Sequence, residues 1–509
     1  MATRAPVGPN ITTGRRGYLR YQYGEHFWIP EVLADFSKGM VRDTTRVAIP
    51  NSAVYDSADF LLDQPGIARK RGGTSYAFGP LSGAAYLTAI EHVPFSGGPH
   101  LVSISNNAHL FDGATDVGAV SGNTWFNLAV SPGGTYVIIP FPAANAQKYN
   151  ATTITTLAQG IPIAHTVSYK SRLVASGQGT NRLFFSPVPD VNATWDTANS
   201  WIDCDNQVSG LASLNNTLLI FSAEATERII GATPPPNSDM DRAPVANVGC
   251  TDCRSIVMES PYVYFANPQG VYMTNGSTPV SLTQQGGIRD YWRSLFNGYM
   301  TAAPMPSISS WTIASGFWRG FLIVTVLDGS RNLVACLMCN VAQAAWWRLT
   351  NIRAMSWATS LLGNELYYAD GIAPYVTATS GIFAPAAANK ADANGTAVTP
   401  TIEFRPVGQG TGTKAYAWGH LDVDMRDAAS DNPTMGVTVK LGVEADTILT
   451  PPESPLAETT TLNRYRFQIN RNALNATVAL AQTGPSAKTE IYALEVQNRP
   501  QSLVGEGVS

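Results

Sequence analysis

Charge is scarce in this chain. Of 509 residues only 14% are Asp, Glu, Lys or Arg, against roughly a quarter in an average globular protein. Long solvent-facing helices are built from Glu, Lys and Arg, so their shortage argues against a helical architecture. The net charge of −4 is too small to hold the whole chain on nucleic acid or an anionic membrane. No apolar run reaches membrane-spanning length, and Gly320 to Leu327 is long enough for one buried strand. The first residues carry Arg4, Arg15, Arg16 and Arg20 without an apolar segment, so no signal peptide is read there. The expectation is a protein made and kept in a cytosol, or packed into a particle assembled there.

The usual catalytic signatures are missing too. There is no G-x-S-x-G elbow, and the six histidines (26, 92, 100, 109, 165 and 420) show no H-E-x-x-H or H-x-H spacing. Gly408 to Lys414, GQGTGTK, lacks the spacing of a phosphate loop and leads into the strand-like Ala415 to Trp418. Five cysteines include two C-x-x-C pairs, Cys250/Cys253 and Cys336/Cys339. Four thiolates would suit tetrahedral zinc, but the pairs are far apart and Cys336/Cys339 lies in an apolar strand, where residues three apart face opposite ways. Buried free thiols are the simpler reading, and the odd Cys204 speaks against a full disulfide framework. Asp422 and Asp424 share a strand face with Arg426 and read as a solvated ladder; Asp112 and Asp370 read as turn residues. No acid/base pair of the kind glycosidases need is apparent. No enzyme activity, metal or cofactor is expected.

What the chain has in quantity is turn chemistry: 44 Gly and 33 Pro with many Asn, Ser and Thr. From about Tyr86 to Phe383 one plan recurs, a polar turn, a short apolar-aromatic strand, then Asp-Gly or Asn-Gly. It can be read at Asn106 to Gly113, at Gly270 to Gly276, at Gly363 to Gly371 and, without the closing turn, at Asn215 to Phe221. Such dipeptides accept left-handed backbone and favour tight hairpins. Further strands are read at Tyr136 to Pro140, Arg172 to Ala175 and Arg182 to Phe185. Degenerate units of this kind point to an irregular β-propeller, whose blade number the repeat does not fix. One helix is expected over Gly287 to Phe296, where Ile288, Tyr291, Trp292 and Leu295 fall on one face.

Before the repeats, Glu31 to Phe36 reads as a short helical piece within a basic arm, residues 1–45. Asn51 to Gly83 follows as an entry segment that turns at Pro65-Gly66 and again at Gly72-Gly73. Its Arg69-Lys70-Arg71 triplet is the densest positive cluster, either a solvated turn or a contact for DNA phosphates or an acidic partner. Arg15, Arg16 and Arg20 are candidates for the same role, or belong to a frayed terminus. The propeller is assigned to 46–383, a small-residue linker to 384–398, and a C-terminal antiparallel β-sandwich to 399–499. In the last, Leu421 to Met425, Gly436 to Leu441, Arg464 to Ile469 and Glu490 to Val496 alternate apolar and polar. Residues 500–509 read as a tail.

Gln64-Pro65-Gly66 with Arg69 to Thr74 resembles the start of the propeller in tail nozzle proteins (the tubular tail, packaged-DNA stabilisation type) of short-tailed bacteriophages. Thr180 to Val188, Val208 to Phe221 and Tyr262 to Gly276 are similar to that family's strands. The likeness runs over roughly 45–383, with a C-terminal β domain in the matching place; residues 1–45 match nothing in it. It implies a structural virion protein, a ring of subunits (usually a hexamer) below the portal and tail adaptor, with tail fibre or needle proteins as neighbours. Such a ring retains packaged double-stranded DNA and conducts it into the host without reading its sequence; it would be made in the host cytoplasm and reside in the virion tail. The alternative is a receptor-binding or glycan-cleaving propeller, for which 11 Trp and 20 Tyr would suit sugar stacking.

Overall fold

In a computed structural model, the structure describes residues 21–23, 26–45, 48–64, 66–122, 126–188, 190–214, 216–297, 311–363, 365–379, 382, 391–407, 416–427, 434–441, 447–449, 456–457, 463–473, 476–483 and 489–500. The chain is all-β: an irregular propeller joined to a C-terminal antiparallel sandwich.

Short strands separated by tight turns can pair only with their neighbours, and they do so as successive four-stranded antiparallel sheets. Blade 1 runs Leu87–Phe95, Gly98–Ser105, His109–Asp112 and Thr115–Ala119. Blade 2 is Ala129–Val130, Val137–Ile139, Gln147–Tyr149 and Ile154–Thr156. Blade 3 is His165–Tyr169, Arg172–Ser176, Arg182–Phe185 and Trp201–Asp203. Blade 4 is Gly210–Leu214, Thr217–Phe221, Thr226–Ile230 and Asp241–Ala246, and blade 5 is Val257–Glu259, Tyr262–Asn267, Gly270–Thr274 and Val280–Ser281. Blade 6 is Thr312–Trp318, Phe321–Leu327, Leu333–Asn340 and Ala345–Leu349.

Blade 7 draws only three strands from its own stretch, Ala354–Thr359, Leu366–Asp370 and Val376–Ala378. Its outer strand is Ser75–Phe78, from the opposite end of the propeller sequence. The first strand of each blade touches the first strand of the next from blade 2 to blade 7. Ala354–Thr359 of blade 7 then lies against Leu87–Phe95 of blade 1, whose inner strand also meets the Pro132–Gly134 turn of blade 2. Seven blades therefore form a closed ring, latched by a strand from the N-terminal side. Closure leaves only the short outer strands as edges.

The sandwich is completed from the N-terminal side as well. One sheet runs Tyr21–Tyr23, His26–Leu33, Thr489–Pro500, Tyr416–Asp427, Asn463–Ala473, with Ile67–Lys70 and Phe60–Gln64 attached beside Thr489–Pro500. The other runs Val54–Ala58, Thr401–Phe404, Ala476–Thr483, Thr434–Leu441, Thr447–Leu449. Leu421, Val423 and Met425 from the first sheet meet Val437, Val439 and Leu480 from the second, all essentially without solvent exposure. Alternation places those side chains on one face. Its lapse at Tyr492 has a cause: the register shifts between Asp424 and Met425, so Thr489–Pro500 carries a bulge there.

Three expectations change. Glu31 to Leu33 is strand, not helix, because His26–Leu33 pairs with Thr489–Pro500 from Ile29 opposite Asn498 to Leu33 opposite Leu494. Long-range ladder bonds and burial of Leu33 outweigh a short helical pattern. The described strands up to Lys70 are therefore built into the sandwich, and the propeller's first strand is Ser75–Phe78 rather than one near 46. Residues 391–398 are tied down, with Asp392 buried and Ala391 bridged to Ala397. The rest of the expected linker, and the tail beyond 500, lie outside the described residues.

The expected helix is present over Arg289–Ser294, with Ile288 and Trp292 fully buried. Asp43 caps it from afar, its carboxylate accepting from the backbone N–H groups of Arg289 (2.6 Å) and Asp290 (2.8 Å). The two parts share one interior. Val54–Ala58 lies beside blade 6's outer strand, and Gly39 approaches that strand so closely that a Cβ would sit 2.6 Å from the Trp346 carbonyl oxygen.

Candidate functional site

The sequence candidates do not converge. Arg69-Lys70-Arg71 is not a solvated turn or an exposed patch: Lys70 is 1% exposed and Arg71 0%. Arg69 forks onto Asp63 (2.9 and 2.6 Å). Arg71 reaches Asp59 through Nε (2.6 Å), Asp392 through both terminal nitrogens (2.8 Å each), and the Gly72 and Thr350 carbonyls (2.9 Å each). Burial alone would lower its pKa; the charges of Asp59 and Asp392 outweigh that and raise it. Two buried carboxylates around one guanidinium make a joint between propeller and sandwich. Nothing of it is presented to a phosphate. Arg15, Arg16, Arg20 and Gly408 to Lys414 lie outside the described residues.

All five cysteines are free and buried. Cys250 and Cys253 flank the turn before blade 5, and Cys336 and Cys339 lie in its neighbour's third strand. Burial pushes Cys253 and Cys336 up to about 12 and raises Cys250 and Cys339 as well. Among the described residues no three His, Cys, Asp or Glu side chains gather in a metal-binding group. Asp112 does more than turn the chain: it accepts from Tyr149 Oη (2.9 Å) and lies 2.6 Å from His100 Nδ1. Asp422, expected on a solvated face, is 2% exposed beneath Arg466, which forks onto it at 2.7 and 2.8 Å. Asp370 accepts the Ile372 N–H (3.0 Å), and burial lifts its carboxyl to about 6.

What does converge is the propeller axis. The inner strands of all seven blades enclose a cavity of about 510 Å³, within the range of small-molecule sites. Its floor is the turn Asp252 to Ser255, which spans the axis. Asn127 Nδ2 of blade 2 donates to the Cys253 carbonyl (2.7 Å), and the Ile313 N–H of blade 6 donates to Asp252 Oδ2 (3.1 Å). Asp252 also holds Arg254 through Nε (2.9 Å) and Nη2 (2.7 Å). The axis is therefore a blind pocket and not a bore. Met258 and Leu361 line the opposite side and are about half exposed (50% and 49%), which opens the cavity to solvent there.

Three titratable groups of the cavity, Glu91, His92 and His165, are shifted towards their neutral forms. Burial lifts the Glu91 carboxyl to about 7, against the opposing effect of the His92 N–H that donates to it (3.1 Å). Burial, and secondarily the charge of His100, lowers His92, whose Nδ1 accepts the Leu361 N–H (3.0 Å). Burial holds His165 down at about 4 although Asp252 pulls the other way, and Phe126 packs edge-on against its ring. Glu91 is the one carboxylate among the described lining residues, and the Asp252 carboxylate in the floor is engaged by Arg254. No local motif announces this site, since its lining is spread over all seven blades, two to five residues from each.

No family model matches the chain, and no curated protein does. A solved structure described as "Crystal Structure of Mitotic Checkpoint Complex" aligns over 63% of this chain and 98% of that one, at 11% identity and a TM-score of 0.40. A likeness that slight carries no argument about function.

Proposed function

We propose that the chain is a subunit of a ring that forms the distal tail tube of a short-tailed phage, retaining packaged DNA and passing it to the host. One observation carries the reading. Three of the stretches that resemble nozzle proteins fold as the third strand of blade 3 (Arg182–Phe185), the first pair of blade 4 (Gly210–Leu214 and Thr217–Phe221) and the central pair of blade 5 (Tyr262–Asn267 and Gly270–Thr274). Three of the four resembling stretches thus lie in consecutive blades, while the first, Gln64 to Thr74, carries a strand that pairs with the sandwich. The blind axis constrains the design: duplex DNA has to run between subunits, with propeller and sandwich together forming a wall. A heterologous interface would close such a ring, six subunits being the number the family suggests. In this reading the tail adaptor lies above, fibre or needle proteins lie below, and the protein is made in the host cytoplasm and carried in the virion. Low net charge favours a duplex that slides over one that is held.

Light scattering followed by negative-stain imaging, with and without the adaptor, tests this. A closed ring around a hole of roughly 20–40 Å, the width of a duplex, is the expected result. A compact trimer that releases saccharide from host glycans would replace the reading with the receptor-binding or glycan-cleaving alternative.

A further inference from the structure

The axial cavity holds a carboxylate without a counter-charge. Glu91 lines it from blade 1 and is only partly covered. Its Oε1 accepts the backbone N–H of His92 (3.1 Å). Oε2 has no partner among the described residues and is not sealed from solvent, so it opens on the cavity. No Lys or Arg of the described residues acts on it; only burial and the His92 N–H do. The other charges of the lining cancel, since Arg254 is bound twice by Asp252 in the floor. Around Glu91, its own strand carries His92, and the next carries His100, which is bonded to Asp112. The blade 7 strands packed on it carry Tyr367, Tyr368 and Asp370, the Pro132–Gly134 turn carries no titratable group, and blade 3 contributes His165. Burial lowers His92 and holds His165 at about 4, so neither ring supplies a positive charge near neutral pH. An ionised Glu91 therefore leaves the cavity with one unanswered negative charge, which is costly in an enclosed site.

Three features narrow the cation that would answer it. One free carboxylate oxygen suits a compact ammonium better than a guanidinium, whose fork takes two. A divalent metal ion needs several ligands, and among the described residues no three His, Cys, Asp or Glu side chains gather to supply them. The way in from solvent is apolar: Met258 and Leu361 stand half exposed at the mouth, with Ile256 in the lining behind Met258. Glu91 is one residue from His92, whose Nδ1 is tied to the Leu361 N–H at 3.0 Å, so the carboxylate lies near that mouth. An alkyl stem can cover apolar side chains there while its charged head reaches the carboxylate. We propose that the axial cavity binds a primary aliphatic ammonium, free in solution or as a lysine side chain of a partner, with Glu91 taking the charge and Met258 and Leu361 covering the stem. The inference stands apart from the ring reading: a subunit of a DNA conduit and a solitary receptor-binding propeller would carry the same pocket.

The test is calorimetric titration of the full-length protein with n-hexylamine at pH 6, 7 and 8, with 1-hexanol and hexanoate as neutral and anionic controls. The expected result is a Kd of about 1 mM or tighter at pH 8. The amine stays charged throughout, while the Glu91 carboxyl titrates at about 7. Affinity should therefore fall about tenfold from pH 8 to pH 6, and binding at pH 7 should release about half a proton. Glu91→Gln should weaken binding at least about tenfold at pH 8 and remove the pH dependence, whereas His100→Gln should keep it. A lysine tripeptide, acetyl-Gly-Lys-Gly-amide, separates the sources. Binding tighter than that of n-hexylamine assigns the pocket to a partner's lysine, and weaker or no binding assigns it to a free amine. A map of the unmodified protein soaked with n-hexylamine keeps the test open if the variants fold poorly. An amine nitrogen beside Glu91 supports the proposal, and its absence there overturns it. No binding of n-hexylamine, equal binding of either control, an affinity unchanged between pH 6 and pH 8, or a Glu91→Gln variant that binds like the parent would likewise overturn it.

Discussion

The propeller and the sandwich solve the same problem, an unfinished sheet, in different ways. The propeller needs one outside strand, Ser75–Phe78, which pairs with Val376–Ala378 and locks the last blade to the chain's earlier part. The sandwich takes more: His26–Leu33, Val54–Ala58 and Ile67–Lys70 all enter its sheets. The described strands before Ser75 therefore belong to the sheets of the domain farthest from them in sequence. Each part is closed by strands far away in sequence, the propeller's own blades lying between Ser75–Phe78 and Val376–Ala378 and the whole propeller lying between the sandwich's two sets of strands. Sequence order is a poor guide to domain membership here, and the segment around Asp59, Arg71 and Asp392 is where both closures meet.

That joint is the place to break the comparison most severely. Replacing Arg71 by Ala strands Asp59 and Asp392 as buried, uncompensated charges, with a cost of about 3–5 kcal/mol. Denaturant unfolding of Arg71→Ala should show both parts destabilised, because the joint serves both. A substitution inside the sandwich should act on one part. Leu480→Ala empties a fully buried position between its sheets, costing about 2–5 kcal/mol. Near-ultraviolet signals of the propeller tryptophans should persist past the point at which the sandwich melts.

Protonation sharpens the comparison on the propeller side. The Glu91 carboxyl rises from 4.5 to about 7 in the fold, so the stability it contributes is complete below 4.5 and lost as pH climbs through 7. His165 falls from 6.5 to about 4, so its contribution is complete above 6.5 and lost as pH drops through 4. Thermal melts of Glu91→Gln should therefore lose part of the decline between pH 4.5 and 7. Those of His165→Gln should lose part of the decline between pH 6.5 and 4, and neither should alter the sandwich transition. The smallest effect belongs to blade 3's rim. Arg182 and Asp203 form an ion pair with side chains 40% and 42% exposed, and exposed pairs add little. Arg182→Ala should leave the unfolding midpoint within experimental scatter.

Much of the architecture was legible in the sequence, for local reasons. Asn107, Asp112-Gly113 and Gly270 mark real turns, and the Ile288/Trp292 face does build the one expected helix. Blade number was not legible because the recurrent turn-strand motif occupies different places in the blades. Its strand is the third of blades 1 and 5, at His109–Asp112 and Gly270–Thr274, but the second of blades 4 and 7, at Thr217–Phe221 and Leu366–Asp370. A repeat that slides within its unit has no fixed period. The role of Arg71 was hidden for a different reason: its partner Asp392 is 321 residues away, and nothing local separates a buried guanidinium from a solvated one. Strand pairing of His26–Leu33 depends on Thr489–Pro500, at the far end of the described chain. The cavity was hidden most completely, since seven blades assemble it.

Hydrogen–deuterium exchange of the intact protein, resolved by peptide, tests the crossed closure most directly. The prediction is that Ser75–Phe78 exchanges at the rate of Val376–Ala378, its partner in blade 7, while His26–Leu33 and Ile67–Lys70 exchange with Thr489–Pro500. If Ser75–Phe78 instead exchanged early together with His26–Leu33, leaving Val376–Ala378 protected, the N-terminal strand would not be latching the propeller and the account would fail.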